Sequence, residues 1–81
     1  MSMANRRKLH IYLLNDEIHT FEYVTQALMA GCDMNALQAE QCAIFVDAHK
    51  EYKVATVGPD DALFIYKNLS QFGLNVELRK K

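Results

Sequence analysis

The sequence predicts an α/β (α+β) fold: a compact βααβαβ sandwich in which a small three-stranded antiparallel sheet is covered on one face by three helices. Three observations carry this. Leu9, Ile11 and Leu13 alternate with His10, Tyr12 and Leu14, and Leu74, Val76 and Leu78 alternate with Asn75, Glu77 and Arg79, the period of two that marks strands. Phe21, Val24 and Leu28 fall at i, i+3 and i+7, the spacing of one helix face. Strands of roughly five or six residues between such helices suit a single small sheet with one buried face.

The first strand ends where Asn15 and Asp16 introduce turn chemistry. The first helix starts from Thr20, places Glu22 in its first turn where a carboxylate suits the helix dipole, and is expected to close on Gly31 as a left-handed residue. Asn35 is the cap expected for the second helix, whose stripe is Ala39, Cys42, Ala43 and Val46, widened by Leu37, Ile44, Phe45 and Ala48. Its Cys-Ala-Ile-Phe-Val run also fits a buried strand, but the flanking Gln, Glu and Ala favour helix. Tyr52 to Val57 reads as the second strand. Gly58-Pro59-Asp60 then breaks the chain before a third helix carrying Ala62, Ile65, Tyr66 and Leu69, which Gly73 stops.

With 81 residues, 51% of them apolar and 23% charged, the chain reads as one ordinary globular domain. The expected organisation is a flexible tail over residues 1–8 and one core domain over residues 9–81. The apolar runs are far short of a membrane span, and Arg6, Arg7 and Lys8 are followed only by a strand-length apolar stretch, so neither a membrane segment nor a secretory signal is expected and the cytoplasm is the expected compartment. A net charge of −1 argues against nucleic-acid binding. Cys32 and Cys42 have neither disulfide-framework nor zinc spacing and read as small core thiols. With only three glycines there is no phosphate loop, and no cofactor is expected.

The segment Leu-Leu-Asn-Asp-Glu-Ile-His-Thr-Phe-Glu-Tyr-Val, Leu13 to Val24, runs a strand into an acidic corner and then an amphipathic helix. It resembles the start of the core domain of the ClpS family, adaptors that hand proteins with destabilising N-terminal residues to a Clp ATPase and protease. The second helix, with Gln-Ala-Glu-Gln-Cys-Ala at its centre, and the Leu74 to Leu78 strand extend the resemblance over most of the chain from Leu9 onward. It implies a pocket that grips a free α-amino group and buries the large apolar side chain beside it. An ammonium is strongly hydrated, so capture needs charge-assisted acceptors where water is partly excluded. By resemblance, Asn15 accepts from the ammonium, Asp16 adds negative potential and Glu17 holds the third acidic position. Phe21 stands where a Met gatekeeper is usual, and Val24, Ala43, Val46 and Leu74 take the positions that line the pocket. The implied partners are the N-terminal domain of a Clp-family AAA+ ATPase and substrate proteins bearing N-terminal degrons. Read without the resemblance, the same residues describe a solvated turn and ordinary core positions.

Several positions depart from the family pattern. The family has a His after the Val of the second helix, and here that slot holds Asp47. His49, two residues on, lies about 200° further round a helix. Either Asp47 accepts from the ammonium, or local unwinding brings His49 inward, or the pocket has lost its ligand. His19 falls where the family has Thr or Asn and is expected to be a weak cap. The segment before the first strand is shorter than the family's arm, and Gly58 to Leu63 offers no clear counterpart of the ATPase contact, which puts delivery in question.

Three other functions compete. Cys42, Asp47 and His49 supply the elements of a catalytic triad, but Cys42 and His49 are about 10 Å apart along one helix axis, so no enzyme is expected. The sandwich also resembles the C-terminal domain of the ribosomal stalk protein, a docking module without such an acidic corner. A ClpS-like paralogue that binds without delivering is the third. The reading adopted is a non-catalytic adaptor that recognises N-terminal degrons and delivers them to a Clp ATPase and protease.

Overall fold

The computed structural model describes residues 7–81, so most of the expected tail, residues 1–6, lies outside the described residues. The elements follow the expected order: β1 (Leu9–Leu14), α1 (Phe21–Cys32), α2 (Ala36–His49), β2 (Glu51–Val57), α3 (Pro59–Gln71) and β3 (Asn75–Lys80). β1 is the central strand, antiparallel to β2 on one side and β3 on the other. Its alternation sends Ile11 and Leu13 into the core. His10 and Tyr12 lie on the other face, where the Arg79 guanidinium sits 3.9 Å from the centre of the Tyr12 ring. Arg79 also forks onto Glu51 at 2.8 and 3.1 Å. That pairing holds the Glu51 carboxyl below its usual range.

One irregularity went unforeseen. The β1–β2 register shifts between Ile11, opposite Ala55, and Tyr12, opposite Lys53, leaving Val54 as an extra residue. Val54 packs partly buried against the core.

The helix ends obey local capping chemistry with two corrections. Thr20, not His19, caps α1: its side chain accepts from the Tyr23 amide. The left-handed residue that ends α1 is Asp33 (φ 57°), not Gly31. Gly31 is buried within the helix against α3, where an added Cβ would meet Leu69 Cδ2 at 3.0 Å. Close packing of two helices, rather than a turn, therefore accounts for this glycine. Asn35 caps α2 as expected and forms a full capping box with Gln38. Pro59 opens α3 at a position with no amide to lose. Gly73 follows α3 with φ +80°.

The α2 stripe of Ala39, Cys42, Ala43 and Val46 is buried as expected. The expected widening does not occur: Leu37 is 63% exposed, Ile44 56% and Phe45 46%, and Ala48 is exposed as well. α2 presents only a narrow stripe to α1 and the sheet, and Phe45 instead stacks on His49 and Tyr52 at the surface. The core gathers Leu13, Leu28, Cys42, Val46, Leu69 and Leu74 with small alanines between them. No helix among the described residues is long and apolar enough to cross a membrane.

Candidate functional site

The last residues of β1 and the C-terminal end of α2 are tied together by one backbone bond. The Asn15 amide donates to the Lys50 carbonyl at 2.8 Å. Lys50 can offer that carbonyl because it ends α2 in the left-handed region, φ 74°, with its own amide donating to Val46. This junction sets the acidic corner after β1 beside the face of α2 that carries Ala43, Val46 and Asp47.

A cavity of about 220 Å³ opens there. Its apolar lining comes from four elements: Leu13 and Leu14 of β1, Phe21 and Val24 of α1, Ala43 and Val46 of α2, and Leu74 at the entrance to β3. Asn15, Asp16, His19, Thr20 and Asp47 supply its polar part. Of the residues singled out in the sequence, Asn15, Asp16, Phe21, Val24, Ala43, Val46, Asp47 and Leu74 are brought together around this space, and His19 joins them. Glu17 is exposed and does not line it. Neither does His49, because α2 stays helical through His49 and the ring is held outside by stacking on Phe45, with centroids 5.6 Å apart. Local unwinding toward the cavity does not occur.

The polar groups differ in how far the protein already satisfies them. The Asn15 side-chain amide makes no hydrogen bond with any described residue and remains available to a ligand. Asp16 is heavily engaged: its Oδ1 accepts from the amides of Ile18 and His19, both at 2.9 Å, an Asx turn that shapes the corner. The His19 ring approaches with Nδ1 3.0 Å from Oδ2 and 3.2 Å from Oδ1. Since an ionised carboxylate only accepts, Nδ1 is the donor. Partial burial opposes ionisation of Asp16, but the His19 amide and ring and the Ile18 amide outweigh it and hold the carboxyl below its ordinary value. Asp47 is exposed and has no hydrogen-bond or ion-pair partner among the described residues.

His19 reaches further than the weak cap expected of it. Its ring stacks on Tyr23, with centroids 4.8 Å apart and planes 13° from parallel. The Tyr23 hydroxyl donates to the Phe72 carbonyl at 2.6 Å. The one sequence signal that points to the His19–Asp16 pair is their spacing of three residues across an Asx turn.

Chemically, the arrangement offers carboxylate and amide acceptors at the mouth of an apolar recess. Among the described residues, no group of three or more His, Cys, Asp or Glu side chains is placed to hold a metal ion. Burial pushes the Cys42 thiol up to about 12 and the Cys32 thiol to about 11, so neither is a ready nucleophile.

Comparison with known proteins identifies the family and the fold. The family model for the ATP-dependent Clp protease adaptor protein ClpS matches residues 4–77. Among solved structures, Agrobacterium tumefaciens ClpS2 bound to L-phenylalaninamide superposes with a TM-score of 0.87, covering 93% of this chain and 98% of that one. At 20% sequence identity that likeness is one of fold. A search of curated proteins finds no match. With the family model spanning nearly the whole chain, this protein belongs to the ClpS family of adaptors of the ATP-dependent Clp protease.

Proposed function

We propose that this chain is a cytoplasmic, non-catalytic adaptor that recognises N-terminal degrons and delivers them to a Clp-type ATPase, binding a free α-amino group together with the bulky hydrophobic side chain of the first residue. The observation that carries the reading is the Asn15 amide, without a partner among the described residues, beside the ionised Asp16 at the mouth of an apolar recess. At about 220 Å³ the recess is smaller than the roughly 300–1,000 Å³ typical of drug-sized ligands, and it suits one side chain with its amine. The ligand in the Agrobacterium ClpS2 structure, L-phenylalaninamide, combines a free amine with an aromatic side chain, the same two chemical features.

In this reading Asn15 accepts one ammonium hydrogen, Asp16 supplies charge, and Asp47 is the third polar contact from α2. Phe21 and Val24 from α1, Ala43 and Val46 from α2, and Leu74 take up the side chain. Asp47 is also what favours a second reading, a ClpS-like protein that docks a partner without degron binding, because a carboxylate stands where the family pattern has an imidazole.

The test is fluorescence anisotropy with a labelled peptide beginning with Phe, beside the same peptide acetylated at its N-terminus. Binding of the free amine with loss on acetylation supports degron capture. Failure with Phe, Tyr, Trp and Leu peptides alike transfers the lead to the docking module. Delivery is tested separately, by adding the protein to a Clp ATPase and protease with a degron-tagged substrate and following its loss.

A further inference from the structure

We propose that His19 is the positioning residue of the site: its ring Nδ1–H holds the Asp16 carboxylate so that Oδ2 stays turned to the cavity as the acceptor for a ligand ammonium. The inference rests on the degron reading for its ligand and on the contacts of Asp16, His19 and Tyr23 for its geometry. Asp16 Oδ1 already takes the Ile18 and His19 amides, both at 2.9 Å, which leaves Oδ2 with spare acceptor capacity. The ring donor lies 3.0 Å from Oδ2, fixing the rotation of the carboxylate about its last bond. The ring itself is held by a stack. Tyr23 stacks on it from α1, and that phenol is tied to the Phe72 carbonyl at the end of α3. Gly73 lies beside the ring, where an added Cβ would sit in ordinary van der Waals contact with Nε2, at 3.4 Å. A hydrogen-bonded and stacked path thus runs from the α3–β3 turn to the acid at the cavity mouth.

Two substitutions separate the donor from the packing. His19→Phe keeps an aromatic ring on Tyr23 and removes the donor; His19→Asn removes the stack and keeps a side-chain N–H. Affinity for the free-amine Phe peptide is expected to fall about tenfold in His19→Phe, with its melting temperature close to the parent's, and to recover in part in His19→Asn. In the ligand-free parent at alkaline pH, long-range 1H–15N NMR is expected to show the hydrogen on Nδ1. Parent-like affinity in His19→Phe, or a ring with Nδ1 bare, overturns the proposal. If the parent binds no free-amine peptide, the degron reading fails and takes the positioning role with it, whereas an Nδ1–H signal would then report a purely structural pair.

Discussion

Asn15 and Asp16 are neighbours in sequence, yet the protein treats them in opposite ways. The Asn15 side chain has no hydrogen-bond partner among the described residues, and the Asp16 carboxylate accepts three donors. Asn15→Ala therefore removes an acceptor that only a ligand uses. It should weaken free-amine peptide binding by about 1.5–3 kcal/mol, as for a hydrogen bond to a charged group, with unfolding free energy nearly unchanged. Anisotropy titration alongside urea unfolding checks both halves. Asp16 should matter to stability as well. Its folded-state value lies below the ordinary one. The stability it contributes is therefore fully present above the unfolded-chain value, about 3.9, and is lost as pH falls through the lower folded value. Urea unfolding from neutral to acidic pH should show a steeper acid loss for the parent than for Asp16→Asn, and parallel curves would remove Asp16 from the account.

At the scale of elements, caps and turns were legible because their chemistry is local. Asn35 and Gln38 satisfy each other's amides three residues apart, so Asn35→Ala should cost about 1 kcal/mol in urea unfolding. Gly31 shows where local reasoning fails. A glycine one residue from a helix end looks like a terminator, but this one is kept small by Leu69 of α3, 3.0 Å from where its Cβ would stand. Gly31→Ala gains about 1 kcal/mol of helix propensity and incurs overpacking of about 1–3 kcal/mol against the fully buried Leu69. The expected net is a loss on the order of 1 kcal/mol, and a more stable variant would mean that α1 and α3 separate readily. The exposed Ile44 and Phe45 teach a similar lesson: apolar identity widens a helical stripe in sequence, but only a neighbouring element buries it.

For the whole molecule, the core is small and leans on a few large side chains. Leu69 is fully buried where α3 meets α1, and Leu69→Ala should cost about 2–5 kcal/mol. A chain of this length has a total stability on the order of 4–12 kcal/mol, so the variant should approach its folding threshold. Thermal unfolding checks this, and a loss below about 1 kcal/mol would show that the site collapses around the missing atoms. The surface cluster of Arg79, Glu51 and Glu77 adds little by comparison, because its members are about a third to a half exposed.

By themselves, the residues determined the order βααβαβ, the alternation of β1 and β3, the buried stripe of α2, the Asn35 cap and the stop at Gly73, because periodicity, capping and turn preference act within a few positions of the chain. The resemblance carried on the Asn-Asp-Glu corner and the second helix pointed to eight residues that the fold then gathers around one cavity. What only the tertiary structure decided depends on groups distant in sequence. The Asn15–Lys50 bond sets the acidic corner against α2, the Val54 bulge shifts the register of β1 against β2, and the helix through His49 keeps that ring outside. The bond from the Tyr23 hydroxyl to the Phe72 carbonyl, which links the local His19–Asp16 pair to the end of α3, belongs to the same class, since Tyr23 and Phe72 meet only after α3 has packed.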